Sequence, residues 1–160
     1  MRSPLQTWLL FALAAGSAIR CSAQVEKVAM RTTGISCGVC AGLSEIYFRR
    51  LSGVDQVKIS ISNEAIMLTF KPGAAFDPAA IRKILQPLEV GVSQFQIGAR
   101  GRVQEQAGKR FFIAGKDKFL VLDAVNSPTV PLDAPVRIEG ILYDRATPME
   151  VIVLSVKPVP

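Results

Sequence analysis

The chain has 160 residues, 49% hydrophobic and 20% charged, with 19 Lys and Arg against 13 Asp and Glu for a formal net charge of +6. It contains no His, which excludes Ser-His-Asp and Cys-His catalysis and every His-ligated metal site. The positive balance is mild and forms neither a basic tail nor a charge run, so charge carries no nucleic-acid or lipid signature.

The first element is a leader. Arg2 is followed by an apolar run from Trp8 to Ala15 and then by small residues, in "WLLFALAAGSAIRCSAQ". The run is short of the ~20 residues that span a bilayer, and it reads as a secretory signal peptide over residues 1–23. Cleavage is expected after Ala23, or else after Ala18. A membrane anchor is the alternative, and bulky Arg20 argues against a lipid-modified Cys21. Cleavage after Ala23 removes Cys21, leaves Cys37 and Cys40 as the only cysteines, and places the protein outside the cytoplasm, periplasmic or secreted, with no membrane span in the mature chain.

From Gln24 the elements follow in a clear order. "VEKVAMRTT", 25–33, alternates Val28 and Met30 and reads as a strand. After the loop "GISCGVC", helical spacing of Leu43, Ile46, Tyr47, Arg50 and Leu51 predicts a helix from about Gly38 to Leu51, stopped by Ser52-Gly53. "VDQVKISIS" alternates Val57, Ile59 and Ile61, and "EAIMLTF" alternates Ile66, Leu68 and Phe70 after a short turn at Asn63, which makes a hairpin with one buried face. Asp77 then caps a helix with Pro78 in its first position and Ile81, Ile84, Leu85 and Leu88 on one side. A strand at about 92–97 completes a β-α-β-β-α-β order, the ferredoxin-like split motif, over residues 24–97.

Cys37 and Cys40 can serve as a metal clamp, a redox couple or a plain disulfide, and their spacing alone suits all three. A loop that puts Cys40 in the first helical turn aims free amides and the positive helix end at sulfur, which favours thiolate, the form that binds metal. Two soft sulfurs without His suit an ion content with two ligands, such as Cu(I) or Hg(II). Zn(II) and structural sites ask for ~4 ligands. Met30 and Met67 could add thioether ligands, but their strand alternation favours core packing. A redox role is weakened because no Trp precedes Cys37, a tight hairpin follows the helix, and no proline stands before a strand facing the thiols. An inert disulfide formed outside the cytoplasm stays open.

Residues 26–97 resemble the heavy-metal-associated domain family, which includes copper chaperones, the N-terminal modules of metal pumps and a periplasmic mercury-binding protein. The resemblance rests on Gly34-x-x-Cys37-x-x-Cys40 between the first strand and helix, on "LSGVDQVKIS" entering the second strand, and on Gly91 after the second helix. It implies metal ligation by Cys37 and Cys40. Ile35 stands where the family usually has a Met packed under the loop. Val92 stands where cytosolic copper chaperones tend to have Lys and other members an aromatic residue, so no metal preference carries over.

The last third reads as five short strands around Val103, Phe111 to Ile113, Phe119 to Leu122, "VRIEGILYD" and "MEVIVLSVKP". With "GKD" at 115–117 as a turn and no helical periodicity, residues 98–160 are expected to form a small all-β barrel. Strand order, Gly101 and Gly140 make the segment similar to an OB-fold. "IGARGRV" is expected to run one strand directly into the next, bending at Gly98 and Gly101, as a short, stiff connection. Phe111, Phe112 and Phe119 with Lys109, Arg110, Lys116 and Lys118 invite an oligonucleotide reading. However, residues 99–160 hold 9 basic and 7 acidic side chains, the aromatics alternate as barrel-core residues do, and no nucleic-acid partner is expected.

The expectation is therefore an α+β protein, a ferredoxin-like sandwich followed by an OB-like barrel. It is expected to be exported, not an enzyme, and to hold a soft metal ion at Cys37 and Cys40. Cu(I) is favoured, with Hg(II), Zn(II) or Cd(II) as alternatives. It would buffer the ion or pass it to a protein partner, a transporter or chaperone. The competing readings are a thiol-disulfide oxidoreductase and an interaction module with a non-functional CxxC.

Overall fold

In a computed structural model, the structure describes residues 24–159; the leader reading at residues 1–23, with Cys21, lies outside them. The described chain is α+β, with eight strands in one continuous sheet, two α-helices and a short 3-10 turn. β1 is Gln24–Thr33, α1 Gly38–Arg50, β2 Val54–Ser60, β3 Ala65–Phe70, α2 Pro78–Leu85 and β4 Gly91–Gln106. β5 is Lys109–Ala114, β6 Asp117–Leu122, β7 Val136–Tyr143 and β8 Glu150–Pro158. Among the described residues no helix is long and apolar enough to cross a membrane.

The first half follows from its alternation. β2, β3, β1 and β4 lie side by side in that order, all antiparallel, with α1 and α2 connecting them as a ferredoxin-like unit. Val28 and Met30 of β1, Ile66 and Leu68 of β3 and Phe95 and Ile97 of β4 point into the core and are fully buried. The Asp77 side chain accepts from the Ala80 amide at 3.0 Å with Pro78 in the first turn, so α2 starts where its cap and fixed φ direct it. Ile61 falls beyond the end of β2 and is exposed, because the turn to β3 begins there.

The expected buried face of α1 needs correction. Leu43, Ile46 and Tyr47 are exposed, and the helix seats itself on Ser44 and Phe48, one turn apart and both fully buried. A small residue at Ser44 lets the backbone approach the sheet, and its hydroxyl donates back to Cys40 O at 2.8 Å instead of needing a partner below. The large Phe48 ring then fills the space that the Leu and Ile stripe was expected to fill.

β4 joins both halves. It has 16 residues; Gly91–Arg100 pair with β1, Arg102–Gln106 pair with β5, and Phe95–Gly101 pair with β7. β5, β6, β8 and β7 return to β4, closing a five-stranded barrel in which β6 and β8 run parallel. Position 97/98 thus lies inside a strand, and the strand itself is the connection. At Gly101 β4 leaves β1 for β5, and a Cβ there would sit 2.1 Å from Ile113 O and 2.9 Å from the Phe112 ring. Only glycine fits that crossing.

Phe112 and Phe119 fill the barrel, fully buried, while Phe111 stands half-buried outside it with Lys118 Nζ 4.1 Å from its ring centre. Placing all three phenylalanines inside was therefore wrong by one, because Phe111 and Phe112 are neighbours on a strand and must face opposite ways. Asp117, expected in the turn, opens β6 and is buried, accepting the Phe76 amide at 3.2 Å. Burial pushes its carboxyl above the usual range.

Side chains fasten the halves together. Arg82 of α2 grips Asp144, after β7, through Nε at 2.7 Å and Nη2 at 2.9 Å, and its Nη1 donates to Val92 O. Glu26 of β1 binds Arg137 of β7 and Arg100 of β4. Phe76 meets Phe70 and Phe95 edge-on at 6.2 and 6.1 Å, within one hydrophobic core that extends from β3 to the barrel.

Candidate metal centre

The loop from Gly34 to Cys40 is built on one glycine and one apolar anchor. Gly34 has φ +93°, and a Cβ there would lie 2.8 Å from Glu89 O, so the residue both turns the chain and lets it touch the segment entering β4. Ile35 follows, fully buried, and pins the loop to the core. Cys37 is then lifted to the N-cap of α1 with extended dihedrals, φ −137° and ψ 154°.

In the cap the Cys37 sulfur does the work of a cap oxygen. The Cys40 amide donates to it at 3.3 Å, and the two sulfurs lie 2.8 Å apart. Both are free thiols, Cys37 exposed and Cys40 partly buried. No acidic residue occupies the first turn, so the positive helix end is left to sulfur, while Arg49 and Arg50 complement the other end.

The pair is unequal. A hydrogen bond from Cys40 together with the amides of Cys40 and Val39 pulls the Cys37 thiol below its ordinary range, and the same sharing pushes Cys40 up. Either thiol can donate the hydrogen between the sulfurs. Donation from Cys40 is the arrangement consistent with two amides already aimed at Cys37. Cys37 is therefore the readier of the two to lose its proton.

Other soft or charged donors stay away. Met30 is sealed in the core, and Met67 is half-buried in the middle of β3, paired with Ala29 and Lys58 and not at the loop. Among the described residues no cluster of three Cys, Asp or Glu forms. The predicted site residues Cys37 and Cys40 are thus brought together, and the two methionines are not. The backbone of Glu89, which supports Gly34, was missed, and no pattern in the sequence marks it.

Two sulfurs are the donor set of a two-coordinate soft ion. With metal–sulfur bonds of about 2.3 Å, thiols 2.8 Å apart must swing open to admit one. Exposure of Cys37 leaves room for that movement.

No protein-family model matches the chain, and no curated protein sequence matches it. Among solved structures, a candidate copper-ion-binding protein from Bacillus anthracis is similar at 24% identity and TM-score 0.40, over 45% of this chain and 100% of its own. The yeast copper transporter domain Ccc2a, solved in apo and Cu(I)-loaded states, is similar at 18% identity and TM-score 0.37, over 42% of this chain and 94% of its own.

Proposed function

We propose that the protein binds a soft metal ion, Cu(I) foremost, between the sulfurs of Cys37 and Cys40, and buffers it or hands it to a protein partner outside the cytoplasm. The observation that carries the reading is a pair of thiols at a helix N-terminus, Cys37 exposed and biased toward thiolate, with no third Cys, Asp or Glu beside them among the described residues. Two-coordinate soft ions suit such a site, and its open side accepts a ligand from a partner, which permits transfer. Cu(I) loading displaces the proton held by Cys40, so binding weakens as pH falls. Export rests on the apolar run before Gln24. The barrel supports an OB-like reading by its order, in which the third and fifth strands run parallel and the fourth pairs with the first. In this reading it serves as a rigid support for the metal-binding half and has no catalytic role.

Competitive Cu(I) titration of the reduced protein against a chromophoric chelator tests the proposal. One tightly held ion per chain is expected, and none in the Cys37→Ser/Cys40→Ser variant. Equal weak binding by both proteins would sink it.

A second reading is favoured by the sulfur separation itself: Cys37, its thiol drawn below the ordinary range by Cys40 and the amides, with Cys40 2.8 Å away is also the arrangement of an attacking and a resolving thiol. Disulfide exchange with a dithiol substrate at a rate unaffected by Cu(I) would favour that role over metal binding.

A further inference from the structure

A groove of about 620 Å³ opens where β4 and β7 part, since their pairing stops at Phe95 and Leu142. Its size falls in the ~300–1,000 Å³ range of small-ligand sites. Apolar surface comes from half-buried Val92 and Ile141 and the exposed Tyr143 ring, and three guanidinium groups, Arg31, Arg82 and Arg145, reach it from β1, α2 and the segment after β7. Asp144, the one carboxylate of the lining, has both oxygens occupied by Arg82. Arg31 and Arg145 are exposed, and neither makes an ion pair among the described residues. Neither cysteine lines the groove.

We propose that this seam groove is a second binding site, for an organic dianion that carries oxyanion groups at both ends of an apolar body. Arg82 is neutralised where it stands and shapes the floor, with its guanidinium 5.0 Å from the Phe95 ring centre. Three guanidiniums against one carboxylate leave a surplus of two cations, carried by Arg31 and by Arg145, which also acts on the Asp144 charge. A monoanion would satisfy one of them, whereas a dianion satisfies both with charge-assisted hydrogen bonds, and its body covers the apolar wall. Guanidinium forks recognise carboxylate and phosphate alike, so oxyanion chemistry, and not one acid, is what the site specifies.

Calorimetric titration at low ionic strength, with the full chain, tests this using succinate, adipate and suberate as dicarboxylates of increasing length. Hexanoate supplies one charge with a body, and inorganic phosphate supplies charge without one. At least one dicarboxylate is expected to bind about tenfold more tightly than hexanoate or phosphate. Arg31→Gln and Arg145→Gln are each expected to weaken it about tenfold. Lys58→Gln, which removes an exposed charge outside the groove, and Cys37→Ser/Cys40→Ser are expected to leave it unchanged. Measuring no dicarboxylate binding, equal binding of phosphate or hexanoate, or equal losses in Lys58→Gln would overturn the proposal.

Discussion

At one end of the sheet α1 offers 13 residues to the strands and buries only Ser44 and Phe48. At the other end β7 and β8 bury Val136, Ile138, Leu142, Val151 and Val153 against the barrel. The thiols sit at the lightly packed end, where Val39, Leu43, Ile46 and Tyr47 remain exposed along the same helix. The helix that carries the thiols is thus the lightly packed part of a fold whose single core spans both halves, and Ile35 holds the Cys loop to that core while Cys37 stays exposed.

Three substitutions can break or sharpen that contrast. Gly101→Val should have the largest effect, since its side chain must enter space 2.1 Å from Ile113 O. A loss of at least about 3 kcal/mol is expected. Because one core serves both halves, calorimetry should show a single transition at lower temperature; two separated transitions would mean the halves are held less firmly than the seam contacts indicate.

Asp144→Asn should come next, at about 1.5–3 kcal/mol for a partly buried, doubly hydrogen-bonded ion pair. The Arg82 guanidinium holds the Asp144 carboxyl below its ordinary range. The folded pKa therefore lies under the unfolded value of ~3.9, and the pair contributes fully above that value and is lost as pH falls through the folded pKa. Thermal melts from neutral pH into strong acid should show the difference between wild type and variant shrinking as pH drops below the ordinary carboxylate range.

Cys40→Ala should be the mildest for stability, because the side chain is only partly buried at the start of α1 and the cap bond is made by its backbone amide. It should still move the chemistry. With its sulfur partner gone, Cys37 should need a higher pH to react with iodoacetamide, shifting toward the ordinary thiol value of ~8.5. An unmoved alkylation profile would show that the amides alone set the Cys37 thiolate.

Much of this was legible locally. Two cysteines beside a helix start, Asp77 before Pro78, and strict alternation in β3 each act over a few residues, and short-range rules read them correctly. What escaped depends on distance along the chain. The choice of Phe48 over Leu43 and Ile46 is made by how closely α1 approaches the sheet, which periodicity cannot express. Arg82 and Asp144 are separated by 62 positions, and nothing near either one announces the pairing. The same holds for β4–β7, whose register closes the barrel across about 40 residues of intervening chain.

The long β4 strand also limits how the molecule can be cut. Ending the chain after Ile97 would strip β7 from Phe95 onward and expose a ladder of unpaired backbone groups beside the side chains of Phe95 and Ile97, now buried. Such an edge invites another copy to add to it, so the excised first half would be prone to aggregate rather than stay monomeric. Fragment boundaries for this protein must therefore keep the barrel, even in experiments concerned only with the thiols.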